Sequence, residues 1–300
     1  MKRPNFFILG APKCGTTSLD AWLSTHPGIF TAVKELHHFN TDHNYRLSAD
    51  LSTYESMFAD ADESHVAVGE ASVRYLHSRD AVANILRYNA GAKFIVMVRN
   101  PAEMAHAWHG QLVFNGEEDV TDFERAWNLQ DARRGGESLP CGCIDVSALL
   151  YGEFCSVGAQ LKRVYETAPR ARVHVVLFDD LRDDPAGVYR AVLKFLDAPA
   201  EHTPPGGFVA HNQAKVRRRL LRQVRHALQP LAKLKTKFGI RKPFGISKRI
   251  EKYEGRAQPR APLRPEFRRA LVEYFADDVR LLENLTGRDL SHWRAPPVSK

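Results

Sequence analysis

The sequence predicts an α/β fold: a three-layer parallel β-sheet with helices on both faces, of the phosphate-loop, nucleotide-binding type. Three observations carry this. Short apolar runs recur near 6–9, 66–68, 94–98 and 173–178, each about the length of a buried strand. Helix-like stretches separate them, as crossovers between parallel neighbours require. The first run stops at a loop bearing two glycines, Gly10 and Gly15, directly before a helical pattern.

Taken in order, Phe6-Phe7-Ile8-Leu9 reads as a strand that ends at Gly10. After the loop, Leu19, Trp22 and Leu23 recur at helical spacing until Pro27 breaks the pattern. A second strand is expected near Val66 to Val68 and a third at Phe94 to Val98. Pro101 then stands where a helix starts, with Asn100 as its cap. Helices are expected at about 121–134 and 152–168, a strand at Val173 to Phe178 and a helix at Pro185 to Leu196. The segment 199–262 is rich in Pro, Gly and basic residues, with an amphipathic helix expected around 216–229. A last helix, at roughly 264–285, carries Phe267, Leu271, Phe275, Leu281 and Leu282 on one apolar stripe.

Three hundred residues at 44% hydrophobic and 26% charged suit one globular domain, read here as residues 1–300. The apolar run after Lys2 and Arg3 is too short for a signal-peptide core, and no stretch reaches membrane length. The expectation is a cytoplasmic protein without a transmembrane segment. Cys14, Cys141, Cys143 and Cys155 make neither a disulfide framework nor a zinc set at the usual spacing, so no metal is expected. The net charge of +8 is unevenly spread. Between Lys215 and Arg256 fifteen Lys or Arg face two Glu, so the rest of the chain is mildly acidic. A basic segment at about 213–260 points to an anionic partner: the donor or acceptor of a reaction, or an acidic lipid surface touched peripherally. A nucleic-acid partner is not expected.

Gly10-Ala-Pro-Lys13-Cys14-Gly15-Thr16-Thr17 sits between strand and helix, where loop amides and a helix N-terminus make an anion site. Nucleotide hydrolases and kinases place a lysine directly after the second glycine. Here Thr16 holds that place and the lysine is Lys13, so the loop fits a phosphate without the usual magnesium-triphosphate arrangement.

With these residues the chain resembles the sulfotransferases that use 3′-phosphoadenosine 5′-phosphosulfate (PAPS), in the branch of the heparan sulfate enzymes and their bacterial relatives. The 5′-phosphosulfate loop of that family matches Lys13 to Thr17, and its KExHFF-type segment matches Lys34-Glu35-Leu36-His37-His38-Phe39. A strand end matches Gly69 to Tyr75, and the 3′-phosphate strand and helix match Arg99-Asn100-Pro101 and the residues to His106. Family-like endings stand at Phe178 to Leu181 and Gly287 to Trp293, so the resemblance spans nearly the whole chain. The departure is Ala107, where the family places a serine that binds the 3′-phosphate.

The resemblance implies sulfuryl transfer from PAPS to a hydroxyl or amine of a small-molecule or carbohydrate acceptor, without a metal. It implies donor contacts from Lys13, Cys14, Gly15, Thr16, Thr17, Ser18 and Arg99, and from one of Arg217 to Arg219, with Arg218 favoured. It implies Glu35 as the base and Lys13 as the residue that neutralises the leaving phosphate. His37 and His38 are candidate acceptor contacts, or histidines packed below the sheet edge. Glu70 would orient Lys13 or the acceptor, or pair with Arg74. Two rival readings stay open on the sequence: a phosphate-loop small-molecule kinase, and a non-catalytic binder of an acidic polymer.

Overall fold

Phe6–Gly10 (β1) lies at the centre of a five-stranded parallel sheet of order β2–β3–β1–β4–β5 in the computed structural model, which describes residues 2–46, 50–210 and 262–295. The other strands are Ile29–Thr31 (β2), Ala67–Ala71 (β3), Lys93–Val98 (β4) and Val173–Leu177 (β5). Every residue of β1 and β3 is buried, so both faces of the sheet are covered, as all-parallel sheets require. β1 pairs with β3 through Phe6↔Gly69 and with β4 through Phe6↔Lys93. Order reverses at β1, which opens a crevice beyond the carboxyl ends of β1, β3 and β4.

Helices Thr16–Leu23 (α1), Leu51–Ser56 (α2), Ala81–Tyr88 (α3) and Pro101–Asn115 (α4) link the first four strands and leave the fourth. Phe123–Asn128 (α5), Gln130–Arg134 (α6), Tyr151–Phe154 (α7) and Val157–Thr167 (α8) precede β5. Phe178–Asp183 (α9) and Pro185–Phe195 (α10) follow it, and Pro265–Tyr274 (α11), Ala276–Thr286 (α12) and Ser291–Arg294 (α13) close the described chain. Asn100 caps α4 as its sequence foretells, its side chain accepting from the amides of Ala102 and Glu103.

Three helices expected as single pieces are broken. The 121–134 stretch divides at Leu129, the 152–168 stretch at Cys155 and Ser156, and the 264–285 stretch at Phe275. The second break has a visible cause. Asp278 of α12 accepts from the amides of Gly158 and Ala159 at 2.8 Å each, capping α8 from a helix far along the chain. The short β2 carried no sequence signal, and Phe178 begins a helix instead of ending a strand. The amphipathic helix expected at 216–229, the basic segment at 213–260 and Arg218 lie outside the described residues. Among the described residues no helix is long and apolar enough to cross a membrane.

Candidate active site

The loop after β1 needs both its glycines. Gly10 has φ +127°, and a Cβ there would stand 2.3 Å from the backbone oxygen of Val73. Gly15, at φ +88°, takes the left-handed turn into α1. Lys13 between them is also left-handed, at φ +64°, and its Nζ donates to Oε1 of Gln111 at 3.0 Å. Cys14 turns inward and is wholly buried, which pushes its thiol pKa up to about 12 despite the nearby Arg99 charge. Its side chain therefore belongs to the core, and only its backbone faces the loop. The amide of Ser18 donates to Gly15 O at 3.0 Å, which leaves those of Thr16 and Thr17 as the open end of α1, an arrangement suited to an anion. Nζ of Lys34 lies 3.4 Å from Oγ1 of Thr16 and 3.3 Å from Oγ1 of Thr17, bringing an ammonium to these two hydroxyls.

Glu35 and His37 sit on a strained stretch after β2. Both have positive φ, +65° and +50°, a conformation costly for these residues and concentrated at functional sites. The strain is held by neighbours: the amide of Glu35 donates to Ala71 O at 2.9 Å, and that of His37 to Oγ of Ser72 at 3.0 Å. Between them Leu36 is buried in the core. The Glu35 carboxylate is aimed by Nε2 of His37 at 2.7 Å and by the amide of Val73 at 3.1 Å, both on Oε2. Burial raises the Glu35 pKa, but the hydrogen bond from His37, with the Lys34 charge and the Val73 amide, outweighs it and holds the group below the usual carboxylate value. His37 is held below its own usual value, chiefly by burial. A neutral His37 donating from Nε2 to an ionised Glu35 satisfies both directions.

Glu70 lies under this stretch. It is fully buried at the end of β3 and accepts from the hydroxyls of Tyr54, Tyr75 and Ser72 at 3.0, 2.9 and 2.6 Å. Burial raises its pKa to about 7 against those three donors. Neither Lys13 nor Arg74 is among these partners. Ser72 and Tyr75 in turn receive the amides of His37 and His38, so Glu70 supports the floor on which Glu35 is held. The ring of His38 stacks on Tyr54 at 4.6 Å, turned to the same packing.

From β4 and α4 come Arg99, Trp108, Gln111 and Asn115. Arg99 packs its guanidinium 4.5 Å from the Phe178 ring and donates to Glu103 at 2.8 Å. Ala107 is 1% exposed and does not reach the cleft, whose α4 wall is built from positions 108, 111 and 115, spaced as one helix face. Together these elements enclose a cleft of about 540 Å³. Lys13, Gly15, Thr16, Thr17, Ser18, Glu35, His37 and Arg99 line it, whereas Cys14, His38 and Glu70 do not. Sequence reasoning assigned no site role to Lys34, Gln111 or Glu117 and considered Arg74 only as a partner of Glu70; Lys34 and Arg74 stood within matched motifs, Gln111 and Glu117 did not.

A family model described as a sulfotransferase domain matches residues 3–229, three quarters of the chain. The chain belongs to the sulfotransferase family. Among relatives, the heparan sulfate glucosamine 3-O-sulfotransferase 3A1 of Mus musculus is 27% identical over 288 residues, covering 95% of this chain and 63% of the relative. The Homo sapiens heparan sulfate glucosamine 3-O-sulfotransferase 5 is 24% identical over 197 residues, covering 65% of this chain and 54% of the relative. The chain thus spans between about half and two thirds of the length of these curated relatives. A crystal structure of a sulfotransferase from Alicyclobacillus acidocaldarius superposes with a TM-score of 0.73 at 26% identity, covering 98% of this chain and all of that one. That likeness agrees with the phosphate-loop α/β fold read from the sequence.

Proposed function

We propose that this sulfotransferase moves a sulfuryl group from PAPS to a hydroxyl or amine of its acceptor, with Glu35 as base. The observation that carries the reading is the Glu35 carboxylate, ionised and doubly held at the cleft wall beside a phosphate loop with two ammonium groups. The 5′-phosphosulfate would lie on the amides around Gly15 and the Thr16 and Thr17 hydroxyls, and the 3′-phosphate toward Arg99, with Arg218 a further candidate. Trp22, Phe178, Leu181 and Phe208 offer apolar surface in the same cleft.

In the step itself the acceptor oxygen attacks sulfur while the bond from sulfur to the 5′-phosphate oxygen breaks, and its electron pair stays on that phosphate. Glu35 takes the acceptor proton as the new bond forms. Lys13 and Lys34 stabilise the charge that grows on the leaving oxygen, being placed before the reaction begins. These cations and the helix terminus supply the positive charge, so the reading gives no metal ion a role. The products are the sulfated acceptor and adenosine 3′,5′-bisphosphate.

Incubation with labelled PAPS and a panel of sugars, lipids and phenols tests the reading. Label should pass to an acceptor as adenosine 3′,5′-bisphosphate appears. Tighter binding of ATP than of adenosine 3′,5′-bisphosphate, with no transfer to any acceptor, would overturn it.

A further inference from the structure

The residues that line the cleft fall into two groups. Lys13, Arg99 and Arg182 lie toward the phosphate loop and α9. The wall beyond Glu35 and His37, which Lys13 touches through Gln111, is Tyr45, Arg74, Trp108, Gln111, Asn115 and Glu117. Its one cation is already taken up. Nη2 of Arg74 donates to Oε2 of Glu117 at 3.1 Å, while Nη1 is inaccessible and stands 3.6 Å from Oδ2 of Asp145. The guanidinium is covered by the Tyr45 ring at 4.5 Å and flanked by Trp108 at 5.6 Å. Asp145 is buried, yet its bonds to His43 and Ser147 and the Arg74 charge hold its pKa well below the usual range, so it stays ionised. One guanidinium therefore faces two carboxylates.

A row of hydrogen bonds fixes this wall. Lys13 donates to Oε1 of Gln111, Nε2 of Gln111 to Oδ1 of Asn115 at 3.0 Å, and Nδ2 of Asn115 to Oε1 of Glu117 at 2.9 Å. An ammonium at one end and a carboxylate at the other leave each amide a single orientation. Each NH₂ keeps a second hydrogen and each carboxylate oxygen further lone pairs, groups suited to hydroxyls. A carboxylate or sulfate placed here would instead meet Glu35 and Glu117, and the ammonium bonded to this row, Lys13, is the one the proposed donor's phosphate occupies.

We infer that the acceptor is an uncharged, hydroxyl-bearing molecule and that this wall selects against anionic acceptors. The inference rests on the sulfuryl-transfer reading of the cleft. It sets this chain apart from the relatives whose names specify heparan sulfate, a polyanion.

The test is transfer from PAPS to matched pairs on sugar, alkyl and aryl frameworks, each a hydroxy acid and its methyl ester. p-Nitrophenyl β-D-glucuronide and its ester are one such pair, with the same hydroxyls and different charge. The ester should have a kcat/KM higher by about tenfold or more, since like charges across an interface are strongly disfavoured. Equal or better use of the acids would overturn the inference, as would no transfer to any ester by protein that still binds adenosine 3′,5′-bisphosphate. Loss of that binding would bring down the donor reading instead. Glu117→Gln removes one of the two carboxylates on Arg74 and should narrow the ester-to-acid ratio. A folded variant with an unchanged ratio would overturn the assignment to this wall, and the comparison in the unaltered protein stands whether or not the variant folds.

Discussion

Oε2 of Glu35 lies 2.7 Å from Nε2 of His37, and each side chain sets the charge of the other. The buried imidazole resists protonation and so donates as a neutral ring. That donation, with the Lys34 charge, keeps the carboxylate ionised although burial opposes it. Ionisation matters in the transition state and little for holding the donor. Glu35→Gln keeps the shape and loses the basicity. Turnover should fall by roughly 10²-fold, while calorimetry finds adenosine 3′,5′-bisphosphate bound as before. Substantial activity in this variant would reduce Glu35 to a positioning residue.

The pH profile follows from the same pair. A carboxylate with a depressed pKa is in its basic form above that value and loses it only as pH falls through it. The kcat/KM profile should therefore stay flat from pH 8 down to about 5, with any acid limb below the ordinary carboxylate value of about 4.3. His37→Ala removes the hydrogen bond but leaves Glu35 in place, so the acid limb should move up. A limb near 6.5 in the unaltered protein would make His37 the base. An unmoved limb in His37→Ala would leave His37 a structural role only.

Lys34 bridges the motif of the base and the phosphate loop through Thr16 and Thr17. Lys34→Met should weaken adenosine 3′,5′-bisphosphate binding by about 1.5–3 kcal/mol, the scale of a hydrogen bond to a charged group. Unchanged affinity would place the 5′-phosphate away from these hydroxyls.

Ala107 tests the family's serine position. Because the residue is buried and off the cleft face, Ala107→Ser should not tighten bisphosphate binding. It should lower the melting temperature, since the added hydroxyl enters a buried site where it must find a partner. Tighter binding would show that α4 turns this position toward the donor.

Stability has its own test at Arg133, whose guanidinium is fully buried in a two-pronged pair with Glu118, at 2.7 and 2.9 Å. Tyr151 adds its hydroxyl to Glu118 at 2.7 Å. Arg133→Met strands the carboxylate and should cost about 3–5 kcal/mol in denaturant unfolding. A loss below about 1 kcal/mol would mean that Glu118 finds another partner or takes up a proton.

The sheet was legible where its strands are long and continuously apolar, as at Phe94 to Val98, because burial on both faces leaves a run that needs no partner to be seen. It was illegible at Ile29–Thr31, where three residues join an edge through β3. Helix breaks escaped notice for a similar reason: the cap of α8 is Asp278, and no local pattern records a cap from that distance. In the site, Lys13 and Glu35 stood in contiguous motifs. Arg74, Glu117 and Asp145 become a unit only when the turn after β3, the end of α4 and the loop before α7 converge, and no local pattern joins the three.

The central place of β1 also governs when the protein acquires its ligand site during synthesis. The proposed phosphate loop hangs from Gly10, but its strand is held by Gly69 on one side and Lys93 on the other. A ribosome-bound chain that has released only the first helix owns the loop's sequence and none of its shape. Capture of adenosine 3′,5′-bisphosphate by stalled nascent chains of increasing length should begin only after β4 has cleared the exit tunnel, which makes the nucleotide a reporter of sheet closure.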